Sequence, residues 1–87
     1  MKIILHKNFL KRYQKLQHGE QQKTDERILL FQQNSFHPLL DNHALHDPYR
    51  GCRSINITGD LRAIYKEIGA DLIHFIELGT HHELYGS

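Results

Sequence analysis

Two clusters of turn-forming residues, Thr58-Gly59-Asp60 and Gly69-Ala70-Asp71, cut the second half of the chain into three β-rich runs. Residues 49–57, 61–68 and 72–78 are rich in β-branched and aromatic side chains, and connections this short join strands only in antiparallel fashion. The spacing therefore predicts a meander of three strands. The first half reads differently. Residues 2–5 form a short apolar run, after which Phe9, Leu10, Tyr13 and Leu16 recur at helical spacing until His18 and Gly19 close the segment. From Glu20 to Gln33 strong helix formers dominate, with Ile28, Leu29, Leu30 and Phe31 as the buried end. The predicted order is strand, helix, helix, three strands and a polar tail. This is an α+β layer architecture: a two-helix hairpin packed on an antiparallel sheet of about four strands.

With 87 residues the chain has room for one domain, residues 1–87, and one small core. A domain of this size buries only about 60% of its unfolded surface, so a tight partner contributes materially to its stability. No apolar run is long enough to cross a bilayer, and the first six residues turn polar too quickly for a signal peptide. A cytoplasmic location is expected. Cys52 is the single cysteine, so an internal disulfide is excluded and the residue reads as a small buried hydrophobe.

The net charge of +1 does not announce a nucleic-acid binder, but its distribution is uneven. Lys7, Lys11 and Lys15 recur every four residues and, with Arg12, line one side of the first helix, a surface for RNA or simply for solvent. The connection over residues 34–48 holds both prolines, Pro38 and Pro48, and carries His43 and His46. Asp60 and Arg62 are two apart, which on a regular strand puts both side chains on one face. Eight histidines are many for so short a chain, but the pair His81-His82 lacks the further ligands that a zinc site needs. Neither a metal nor a cofactor is expected.

Four stretches carry a more specific signal: Asn42-His43-Ala44-Leu45, Tyr49-Arg50-Gly51-Cys52-Arg53, Gly59-Asp60-Leu61-Arg62-Ala63-Ile64-Tyr65-Lys66, and Gly79-Thr80-His81-His82-Glu83-Leu84-Tyr85. In this order and at these separations the chain resembles the RelE/YafQ toxins of type II toxin–antitoxin pairs. The resemblance implies a RelE-like fold and an endoribonuclease that cleaves mRNA in the ribosomal A site. It also implies a cognate antitoxin that forms a hetero-oligomer with the toxin. Matched residue by residue, it carries a loop histidine onto His43, a hairpin aspartate onto Asp60, a strand arginine onto Arg62, a C-terminal histidine onto His81 and an aromatic onto Tyr85. Two positions depart from the YafQ pattern: Asn56 stands where that pattern has a histidine, and Glu77 where it has an arginine.

These residue types suit metal-free RNA cleavage. A base must take the proton of the 2′-hydroxyl as it attacks phosphorus, and an acid must protonate the departing 5′-oxygen. His81 and His43 are the first choices, because an imidazole exchanges protons near neutrality. Asp60 serves as base or as an orienting carboxylate, and the Arg62 fork holds phosphate oxygens as negative charge grows. Tyr85 offers a ring for a base to stack on, while Arg53 and the lysines Lys7, Lys11 and Lys15, with Arg12, hold RNA or the ribosome. Two alternatives stay open: a non-enzymatic, gyrase-poisoning toxin of the ParE type, and a family member that has lost cleavage through Asn56 and Glu77.

Overall fold

The computed structural model describes residues 1–86. Its elements run β1 (Lys2–Leu5), α1 (Lys7–Lys15), α2 (His18–Gln33), a 3₁₀ turn (Pro38–Leu40), β2 (His43–Ala44), β3 (Arg53–Asn56), β4 (Leu61–Gly69), β5 (Leu72–Thr80) and α3 (His81–Tyr85). The sheet has five strands in the order β1-β5-β4-β3-β2. Three neighbouring pairs are antiparallel, as the short turns require, but β1 runs parallel to β5, with Ile3 opposite Ile73 and Leu5 opposite Phe75. The two helices supply the long crossover that a parallel pair needs.

Several expected boundaries move for local reasons. The first helix ends at Lys15 and the second begins at His18, because Gln17 takes an extended backbone and forms a capping box with Glu20. Residues 49–52 leave the predicted strand. They form a tight turn in which the Cys52 N–H donates to Tyr49 O at 3.0 Å, and Gly51 supplies the positive φ of 86° that a side chain opposes. The polar tail is partly helical: Thr80 and Glu83 cap α3 reciprocally. β2 is the fifth strand, two residues long, inside a segment without β periodicity. Asp41, at φ 44°, ends the 3₁₀ turn and redirects the chain into it.

The main core lies between the helices and one sheet face. Phe31 meets Tyr65 and Phe75 edge-on at 4.8 and 5.4 Å, and Phe9 contacts Phe75 at 5.7 Å. Ile55, Ile57, Leu61, Ala63 and Leu78 complete it. Leu10, placed with Phe9 on the apolar side by spacing, is 40% exposed. On the other face a small cluster joins buried Cys52 and Ile64 to Leu84 of α3, with Leu45, Tyr49, Ile76 and Tyr85 around it. This second cluster seats α3 against β5, and so determines what the last residues of the chain can face.

Candidate active site

A cleft of about 400 Å³ opens on the face that carries α3, and it holds three of the eight imidazoles. Its wall includes His43, His46, Arg62, His81 and Tyr85, together with Asp41, Asp47 and Ser54. The volume is in the ordinary range for a ligand cleft. Sheet register explains part of the convergence: His43 pairs with Ser54, which pairs with Ile64, and two residues along the strands Asn56 pairs with Arg62. Directly paired residues share a sheet face.

His43 is held in a defined form. Its Nδ1 lies 2.7 Å from the backbone carbonyl of Asp41. A carbonyl oxygen only accepts, so Nδ1 carries a hydrogen, and in the neutral ring Nε2 presents the lone pair. The Asp41 carboxylate stands 3.9 Å from the same Nδ1.

Arg62 is fixed by the turn beside it. Nη1 donates to Thr58 O at 2.9 Å and Leu61 O at 3.3 Å, and Nη2 donates to Gly59 O at 3.1 Å. A guanidinium has five N–H donors. These three bonds leave two, the Nε hydrogen and one on Nη2, which is a fork that matches two oxygens of one phosphate. Because the turn carbonyls hold the group in place, little side-chain entropy remains to be lost on binding an anion.

His81 and Tyr85 lie one turn apart on α3, with ring centroids 4.7 Å apart; Tyr85 also meets Tyr49 edge-on at 5.8 Å. The helix is anchored twice. Glu83 Oε1 accepts from Thr80 N–H at 2.8 Å, and Glu83 Oε2 accepts from Arg12 Nη1 at 3.0 Å. The Thr80 amide, first, and the Arg12 guanidinium hold the Glu83 carboxyl below its usual range. Close packing helps as well: a Cβ on Gly79 would come within 3.4 Å of Leu84 and Glu83 atoms.

The structure thus brings His43, Arg62, His81 and Tyr85 to one cleft and leaves Asp60 outside its lining. β4 starts at Leu61, so Asp60 belongs to the exposed turn, and alternation along a strand does not apply to it. Arg53 is occupied in the scaffold, donating from Nε to Asn42 Oδ1 at 2.8 Å and lying 5.2 Å over the Phe36 ring. Asn42 in turn donates to the buried Tyr65 hydroxyl at 2.8 Å. Burial pushes the Tyr65 phenol above its ordinary range against the opposing Asn42 bond. Lys11, Arg12 and Lys15 border a separate hollow with Asn8 and Glu77, while Lys7 is exposed at the start of α1. Asp41, Asp47 and Ser54 were not legible as cleft residues. The signal for Asp41 is its place two residues before His43, where an αL turn suits aspartate; Ser54 has none in sequence. Among the described residues, no three His, Cys, Asp or Glu side chains are grouped to hold a metal ion.

A small α+β fold with a histidine- and arginine-lined cleft beneath a C-terminal helix defines a class, and comparison with known proteins gives it a family. The family of YafQ bacterial toxins of type II toxin–antitoxin systems matches residues 1–86. The chain belongs to this family. It is similar to YafQ of E. coli strain BL21(DE3), at 26% identity over 98% of both chains with a TM-score of 0.79. The E. coli DinJ–YafQ complex contains a chain 27% identical over 98% of both, with a TM-score of 0.76. A YoeB/ParE toxin from Agrobacterium tumefaciens, 21% identical over 93% of this chain and 99% of its own, shares the fold at a TM-score of 0.78. No curated protein matches the sequence. Among the described residues no helix is long and apolar enough to cross a membrane.

Proposed function

We propose that the protein is the RNA-cleaving toxin of a toxin–antitoxin pair, acting on mRNA in the ribosomal A site. The observation that carries this reading is the cleft itself: an imidazole with a defined lone pair, a second imidazole and a two-donor guanidinium fork in one wall. His43 Nε2 takes the proton of the 2′-hydroxyl. The freed oxygen bonds to the adjacent phosphorus while the bond from phosphorus to the 5′-oxygen breaks, and His81 in its protonated form gives that oxygen its proton. The products are a 2′,3′-cyclic phosphate and a free 5′-hydroxyl, and each imidazole ends in the other's starting state. Arg62 holds two phosphoryl oxygens as their charge rises, a contribution of about 2.7 to 4 kcal/mol where such donors have been removed elsewhere. Tyr85 stacks on a base of the bound codon.

The cognate partner is an antitoxin, as DinJ is for YafQ in the E. coli complex. The lysines of α1 meet ribosomal RNA, although Arg12 is shared with Glu83 and contributes first to seating α3. Cleavage of a defined mRNA in a purified translation system tests the reading. Wild-type protein is expected to give codon-positioned cuts, and His43→Ala, His81→Ala and Arg62→Lys to lower the rate by about 10² or more while retaining antitoxin binding. Intact mRNA together with gyrase-linked DNA breaks would instead assign the chain to the non-enzymatic alternative.

A further inference from the structure

Buried polar atoms in folded proteins almost always have partners, so the exceptions mark places where something else belongs. Among the described residues three buried side-chain atoms lack one: Arg27 Nε, Ser54 Oγ and Asn56 Oδ1. Their distribution is not random. Ser54 lines the cleft already described, and Arg27 and Asn56 line a second hollow of about 360 Å³. The β3–β4 turn separates the two. Thr58 and Gly59 border the second hollow, while their carbonyls hold Arg62, which borders the first. Ser54 and Asn56, alternate residues of β3, share a sheet face.

The second hollow is cationic. Lys23 and Arg27 stand one turn apart on α2, and no carboxylate is in its lining. Lys23 has Glu26 at 3.9 Å, an exposed and long pair that commits little of its charge. Both orphan atoms, Arg27 Nε and Asn56 Oδ1, are covered by the surrounding side chains, so a ligand in the hollow meets Lys23 and Arg27 through their other donor atoms. A phosphodiester suits that lining, with its anionic oxygens toward the two cations.

We infer that this hollow is a second phosphate subsite, which holds a phosphodiester flanking the one cut in the first cleft. The inference rests on the nuclease reading and extends the bound RNA across the β3–β4 turn. Lys23 and Arg27 neutralise the flanking phosphate, and Arg62 ties the turn to both sites.

Single-turnover cleavage on mRNA-programmed ribosomes, measured against toxin concentration, tests it. Arg27→Gln is expected to raise the half-maximal concentration about tenfold and to leave the maximal rate within about twofold of wild type. An mRNA with one neutral methylphosphonate beside the scissile linkage should impose a similar rise on wild-type protein, to which Arg27→Gln adds nothing. Additive effects would place the bound phosphate in ribosomal RNA and overturn the mRNA assignment. An unchanged concentration dependence for Arg27→Gln, or weakened antitoxin binding with normal cleavage, also overturns it. If wild-type protein leaves the mRNA uncut, the nuclease reading fails before any variant is compared, and this subsite falls with it.

Discussion

Ser54 shows how much a single side chain can say that its letter in the sequence does not. It is fully buried and its hydroxyl has no partner among the described residues, so it carries a desolvation cost of about 1 to 3 kcal/mol with nothing to offset it. Ser54→Ala removes the orphan group without removing volume that the core needs. The variant is expected to melt several degrees higher, since about 1 kcal/mol shifts the midpoint of a domain this size by roughly 4 to 8 °C. A lowered midpoint in a thermal melt would show that the hydroxyl is satisfied after all. The contrast with His43 is instructive. Its presence in a loop between two prolines was visible at once, but the hydrogen on Nδ1, which decides that Nε2 is the basic atom, depends on a carbonyl two residues away in a left-handed turn.

At the level of elements, α3 is the piece on which the site depends most and the one with the least intrinsic stability. Five residues do not form a helix alone in water. It persists because Leu84 is buried, Thr80 and Glu83 cap its first turn, and Arg12 of α1 bonds the same carboxylate. The Glu83 pKa is lowered in the folded state, so its contribution is complete above the ordinary carboxyl value and is lost as pH falls through the folded one. Wild-type stability should therefore decline as acid passes below the usual glutamate range, and Glu83→Gln should flatten that decline in urea melts taken across pH. Equal acid sensitivity in the two proteins would remove Glu83 from the account. Little of this element was readable beforehand: a polar five-residue stretch has no helical periodicity to detect, and its cap partner Arg12 is 71 positions away. The longer elements were legible, because Phe9 and Tyr13 on α1, with Leu16 just past its end, and the β-rich runs of β4 and β5 repeat with the periods of their own backbone geometry.

For the molecule as a whole, one aromatic group ties the helices to the sheet. Phe31 from α2 packs against Tyr65 and Phe75 from two strands. Truncation to alanine is expected to cost about 3 to 5 kcal/mol, a large part of the 5 to 15 kcal/mol that a domain possesses. Phe31→Ala should therefore unfold at markedly lower urea, and a midpoint within experimental error of wild type would show that the core lies elsewhere. The class of fold, the helices, the meander and the family were legible in the order of residues, since each rests on local periodicity, turn chemistry or motif spacing. Long-range packing set β1 parallel to its neighbour and left Asp60 outside the cleft. It alone brought Asp41, Asp47 and Ser54 to the cleft wall, and left Arg27 and Asn56 short of partners across the same turn. Those outcomes depend on which residues distant in the chain come to share one face of a sheet. Strand register and core packing set that arrangement, and neither leaves a local mark in the order of the residues.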